Sequence, residues 1–165
     1  MRKSILQLAI MALLASLLLG GIAAAKTVKG GPGDDRLVGT NRADILRGFS
    51  GDDTIRAKGG ADDLYGNDGW DIINAHGGDD TLRGGDGRDT LRAGSGDDRV
   101  YGGPGDDRLA GKPGNDVLGG GSGDDVLHGS LDGERDQFIC GSGRDTVEAD
   151  STDVVATDCE RVNRR

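Results

Sequence analysis

The chain has 165 residues, of which 20 are Lys or Arg and 29 are Asp or Glu, for a formal charge of −9. That acidity argues against nucleic acid or an anionic membrane surface as partner and favours cations. With 32 Gly but one Trp, two Tyr and two Phe, the composition alone approaches that of a disordered segment; only periodicity argues otherwise.

Met1-Arg2-Lys3 is a short basic start, and an apolar run from Ile5 to Leu19 follows it. Ala23-Ala24-Ala25 then places small residues before Lys26. A basic start, an apolar stretch of this length and an A-x-A end describe a secretory signal peptide over residues 1–25. An uncleaved anchor is the alternative, since Ile5 to Ala25 is long enough to span a bilayer; the small-residue end favours cleavage. Cleavage leaves Lys26 to Arg165, 140 residues with 18 basic side chains against 29 acidic ones once Arg2 and Lys3 are gone. The expected location is secreted and extracellular, with no membrane contact after cleavage.

After a short lead-in, residues 26–29, the chain falls into rows of nine. Eleven rows run without a gap from Gly30 to His128. Position six is Asp in every row: Asp35, Asp44, Asp53, Asp62, Asp71, Asp80, Asp89, Asp98, Asp107, Asp116 and Asp125. Position eight is aliphatic in every row, from Leu37 and Leu46 to Leu118 and Leu127. Position four is Gly except at Arg42, and position one is Gly or Ala throughout. Two invariant columns at this length are a true repeat, so the repeat governs the fold. Nine residues are too few for a helical hairpin and fit half a coil of a solenoid, a six-residue turn followed by a three-residue strand. Glycine at positions one and four suits a turn needing positive φ or close backbone approach. Positions seven to nine alternate out, in, out, so position eight alone is expected to point inward.

The rows Gly30–Val38, Gly84–Arg92, Gly102–Ala110 and Gly120–His128 each read G-G-x-G-x-D-x-U-x, with U a large apolar residue. This pattern resembles the RTX, or haemolysin-type calcium-binding, repeat. The resemblance covers 99 residues strictly and about 119 with a degenerate end. It implies an all-β, right-handed parallel β-roll with two rows per coil, so that eleven rows make about five and a half coils. It also implies Ca2+ ions in the turns, between a loop and the loop two rows on.

The chemistry of the turns points to a metal independently. Stacked coils lie about 4.7–4.9 Å apart, which brings each Asp near the one eighteen residues on. Two carboxylates ~5 Å apart repel by roughly 3 kcal/mol at an effective dielectric of 20. A hard divalent cation turns that repulsion into coordination. Calcium accepts oxygen ligands in flexible geometry, whereas magnesium demands a tight octahedron and retains its water. With a core one aliphatic side chain deep per row, an extended metal-free chain and a folded calcium-bound chain are expected.

Two early rows are irregular. Gly39–Asp44 lacks Gly at positions two and four, and Ala57–Asp62 lacks it at one and two, with Lys58 adding positive charge. Beyond His128 the row Gly129–Ile139 has eleven residues, with Asp136 and Phe138 in the key places. Cys140–Glu148 restores nine, with Asp145 and Val147, so the roll is expected over 30–148 and a closing cap over 149–165. The candidate metal ligands are therefore the eleven row aspartates with Asp136 and Asp145. Cys140 and Cys159 are nineteen residues apart, close to one coil, and are expected to stack as a disulfide rather than remain free thiols.

No enzyme is expected. The two histidines, His76 and His128, lie in different rows, and no His-Glu-x-x-His occurs. Asp34-Asp35 and similar pairs recur as turn chemistry instead of marking a catalytic dyad, and the Gly-x-Gly pairs open no helix that could cradle a phosphate. Tyr65, Trp70 and Tyr101 fall at outward positions. Two roles remain open: a calcium-dependent structural or matrix protein, or a calcium-dependent module binding an extracellular polysaccharide or a partner enzyme.

Overall fold

Each row delivers one strand, because aliphatic, β-branched and long side chains gather at positions seven to nine while Gly and Asp break the chain between them. The computed structural model describes residues 25–165, and no helix occurs among them. The segment expected to be a signal peptide lies outside the described residues, save for Ala25. From the N-terminus run β1 (Thr27–Lys29), β2 (Arg36–Val38), β3 (Ile45–Ser50), β4 (Thr54–Gly59), β5 (Asp63–Asp68), β6 (Ile72–Gly77), β7 (Thr81–Asp86) and β8 (Thr90–Ser95). Then follow β9 (Arg99–Pro104), β10 (Arg108–Ala110), β11 (Val117–Ser122), β12 (Val126–His128), β13 (Gln137–Ser142), β14 (Thr146–Ala149), β15 (Val154–Val155) and β16 (Arg161–Arg164).

Odd-numbered strands stack in chain order into one eight-stranded sheet, and even-numbered strands into another. All pairings are parallel. The result is a parallel β-roll with two rows per coil. The eleven regular rows supply β2 to β12, and the segments on either side extend the stack to eight strands per sheet. Leu46 faces Leu64 and Leu91 faces Leu109, each eighteen residues on. Leu118 faces Phe138 and Leu127 faces Val147, twenty on. The two extra residues of the Gly129 row are thus taken up between β12 and β13, and the strand register survives.

The interior differs from the expected one in two respects. Most strands run six residues, from position seven through position three of the next row, so the turn shrinks to positions four to six. Alternation therefore brings position one inward as well as position eight: Ala57, Ala75, Ala93, Cys140 and Ala149 are buried beside the Leu and Ile column. A strand that continues past position nine must point every second side chain to the same face, which explains why position one tolerates only small residues. Position two carries the second surprise. Phe49, Lys58, Asn67, His76 and Lys112 all occupy it with φ between 81° and 97°. Those rows hold without glycine a backbone conformation that glycine adopts freely, and so the Ala57 row keeps its coil.

The lead-in is a strand, since β1 pairs with β3. At the other end β15 and β16 add the last strand to each sheet. Arg164 Nη1 donates to the carbonyls of Asp150 and Asp153 at 2.7 and 3.4 Å. Cys140 and Cys159 form a disulfide with their Cα atoms 5.2 Å apart, tying the final turn to the coil below.

Candidate metal centre

The position-six aspartates form two columns, one on each edge of the roll. Each is held by its own backbone: the Asp C=O accepts from position seven of the next coil, as from Thr54 N–H to Asp35 O at 2.8 Å. Each Asp N–H in turn donates to Oδ1 of the Asp one coil on. On the first edge the chain of bonds runs Asp35, Asp53, Asp71, Asp89, Asp107, Asp125, Asp145, at 2.7–2.8 Å. It ends on Glu160 Oε2. On the second edge it runs Asp44, Asp62, Asp80, Asp98, Asp116, Asp136, at 2.6–2.9 Å, and ends on Asp153 Oδ1. The carboxylates eighteen residues apart are thus brought into register, but through one oxygen and an amide.

The other oxygen tells these residues apart. Oδ2 of Asp53, Asp62, Asp71, Asp80, Asp89, Asp98, Asp107, Asp116, Asp125 and Asp145 is buried with no hydrogen-bond partner among the described residues. At the ends the chain itself fills the place. Asp35 Oδ2 accepts from Gly31 N–H at 2.7 Å, Asp44 Oδ2 from Thr40 N–H at 2.5 Å, and Asp136 Oδ2 from Ser130 N–H at 3.2 Å. Asp153 Oδ2 accepts from Asp150 N–H at 2.7 Å. In rows that have glycine at position one, the orphaned oxygen sits over it. A Cβ built on Gly48, Gly66, Gly84 or Gly102 would lie only 1.9–2.2 Å from Oδ2 of the Asp in its own row. In these rows glycine at position one makes room for the carboxylate, whereas Ala57, Ala75 and Ala93 stand there in the rows of Asp62, Asp80 and Asp98.

Burial is the main force on these groups. It pushes Asp116 up to about 8, Asp71, Asp80 and Asp107 to about 7, and Asp62, Asp89, Asp98, Asp125 and Asp136 to about 6. The incoming amide pulls each of them the other way, and for most of them carboxylates nearby raise the value further. Asp53 and Asp145 are raised for the same leading reason. Asp44 differs: burial pushes it up, but hydrogen bonds from Lys26 and Thr40 bring it below its ordinary value.

Such a site suits a hard cation. Its free donors are buried carboxylate oxygens, repeated along each edge, and none has a hydrogen-bond donor among the described residues that would offset its burial. No three His, Cys, Asp or Glu side chains converge among the described residues. A metal here would therefore need main-chain carbonyls beside the carboxylates, a mixture that calcium accepts readily. Sequence reasoning missed Asp153 and Glu160, which close the two columns. Asp153-Val154-Val155 and Glu160-Arg161-Val162 keep the acid-x-aliphatic order of every row, a signal visible once the glycines are ignored.

The architecture and its acidic turns define a class: a parallel β-roll with buried carboxylate columns. The model of the RTX calcium-binding nonapeptide repeat matches residues 29–64, 48–82, 65–100, 76–109 and 101–133, together well over half of the chain. The chain belongs to this family of calcium-binding repeats. No curated protein matches it.

Proposed function

We propose that the protein is secreted and serves a non-catalytic, structural role outside the cell, folding as Ca2+ fills its turns. The observation that carries this reading is the set of ten buried carboxylate oxygens without hydrogen-bond partners among the described residues. Asp53, Asp62, Asp71, Asp80, Asp89, Asp98, Asp107, Asp116, Asp125 and Asp145 would hold the ions, with turn carbonyls completing each shell. Bound calcium supplies positive charge where the fold has gathered negative charge. The chain's own part is to aim Oδ1 at the neighbouring amide, which leaves Oδ2 free. Asp35, Asp44 and Asp136, whose second oxygens accept amides, would contribute least. Export is supported by the basic start, the apolar run and Ala23-Ala24-Ala25, and it would deliver an unfolded chain to a calcium-rich medium. Far-UV circular dichroism of residues 26–165 is expected to turn from coil to β-structure on adding calcium and back with chelator, while magnesium gives little change. A β-rich spectrum indifferent to both would overturn this reading.

A second reading, a module for an acidic extracellular polysaccharide, rests on the outer face of the odd-numbered sheet. Arg47, Tyr65, Arg83 and Tyr101 stand side by side at position nine of β3, β5, β7 and β9. The Arg47 guanidinium lies 4.9 Å from the Tyr65 ring centroid, and Arg83 lies 5.4 and 5.6 Å from those of Tyr65 and Tyr101. Rigid, stacked rings and guanidiniums suit sugar faces and carboxylates. Co-sedimentation with an acidic polysaccharide is expected to require calcium and to fall roughly tenfold in the Arg47→Ala/Arg83→Ala variant. Sedimentation unaltered by the substitutions would remove this reading.

A further inference from the structure

The second carboxylate column does not begin with an aspartate. Its first rung is the main-chain nitrogen of Lys26, which donates to Asp44 Oδ1 at 2.5 Å. The Lys26 carbonyl accepts from Ile45 N–H at 2.9 Å. These are the two main-chain bonds that each later Asp of the column makes, so Lys26 occupies position six of a row, eighteen residues before Asp44. It brings the backbone of that position without the carboxylate. Asp44 itself is 2% exposed. Its other oxygen is taken by Thr40 N–H at 2.5 Å and Thr40 Oγ1 at 2.9 Å. This buried carboxylate is therefore surrounded by donors of its own chain.

The bond before that rung is the one the sequence marks for cutting, since Ala23-Ala24-Ala25 ends at Lys26. We propose that hydrolysis of the Ala25–Lys26 bond creates the group that caps the roll: the new α-ammonium of Lys26 pairs with the Asp44 carboxylate and closes the open coil. This rests on the secretory reading above. Water adds across the peptide bond, Ala25 departs with a new carboxylate, and the nitrogen stays on Lys26 and takes up a proton as an ammonium. The hydrolysis is the work of an endopeptidase of the signal-peptidase class. Before the cut the nitrogen is an uncharged amide with one N–H and a 25-residue extension attached. Afterwards it is a charged donor at the mouth of a buried site, where a charge-assisted bond is about twice as strong as a neutral one. Processing and folding are thereby coupled at one atom, and the first carboxylate of this edge is neutralised without a metal.

The test compares chains that begin at Ala25, Lys26 and Thr27 and run to Arg165, all in saturating calcium. Each is made with Asp44 and with Asp44→Asn, which keeps the shape and one acceptor. The folding equilibrium constant of the Lys26 chain is expected to exceed that of the Ala25 chain by about fivefold to tenfold. The Thr27 chain, which lacks the rung, should be weaker still. Asp44→Asn should erase the advantage of the Lys26 start over the Ala25 start. Equal constants for all three starts, or an advantage that survives Asp44→Asn, overturn the cap. Mass spectrometry of the exported protein addresses the cut separately. A mature chain beginning at Lys26 supports it, whereas one that keeps residues 1–25 or begins elsewhere overturns the processing step. An uncut chain retained by the cell would also sink the secretory reading, while the comparison of starts would still stand.

Discussion

In chelator at pH 8 the chain is expected to lack β-structure, and acidification to about pH 4 without any metal should restore much of it. The reason lies in the direction of the aspartate shifts. Nine of them have folded values raised from 3.8 to between about 6 and about 8, chiefly because burial disfavours the charge. A carboxyl whose folded value is raised binds its proton more tightly in the folded state than in the unfolded one. Its stabilising contribution is therefore complete below about pH 4 and is lost as the pH climbs through its folded value. Asp44, Asp97 and Asp150, all held below their ordinary values, act in the opposite sense, but they are outnumbered. Protons and calcium thus satisfy the same oxygens in turn, and the calcium midpoint should rise as the pH falls from 8 to 6, with protons released on binding. Circular dichroism against pH at fixed chelator checks the first part, and calorimetry in two buffers of different ionisation enthalpy checks the second. A metal-free chain that gains stability steadily between pH 4 and pH 8 would show that burial does not control these carboxylates.

The second large effect concerns position four. Gly105 has φ of 137°, and a Cβ built on it would lie 1.6 Å from the Gly87 carbonyl oxygen and 2.5 Å from the carbonyl carbon. Both obstacles are backbone of the coil below, so no side chain can swing aside. Gly105→Ala should cost about 3 kcal/mol or more, combining an unfavourable φ with a forced separation of two coils. Gly33 separates these causes. It shares the conformation, with φ of 118°, but it lies in the first regular row and a Cβ there meets nothing within 4 Å. Gly33→Ala should therefore cost only the conformational part, about 1–2 kcal/mol. Gly31 has neither constraint, and Gly31→Ala should stay within about 0.5 kcal/mol of the parent. Urea unfolding in saturating calcium measures all three. Equal costs at Gly105 and Gly31 would mean that coil spacing is looser than the stacked geometry requires.

Much of the roll follows from period alone. Asp at position six and an aliphatic residue at position eight, eleven times over, determine one strand per row, and the resemblance to the RTX repeat adds two rows per coil and so the pairing of residues eighteen apart. They also determine which acids line the turns and that Cys140 and Cys159 meet, because stacked identical units place identical positions side by side. Tertiary structure decided what depends on the coil above or below. Position one turned out to be interior because the strand runs on past position nine, and hydrogen bonding to a neighbouring strand, not side-chain preference, sets that length. Phe49, Lys58, Asn67, His76 and Lys112 took up positive φ because the stack imposes one backbone path on every row, whatever residue stands there. The two oxygens of each carboxylate, identical in sequence terms, became unlike once a neighbouring amide claimed one of them. Where the columns end the glycines are lost, so Asp153 and Glu160 keep only the acid-x-aliphatic order and Lys26 lacks even the acid. Which group each closes became visible only when the coils were laid on one another.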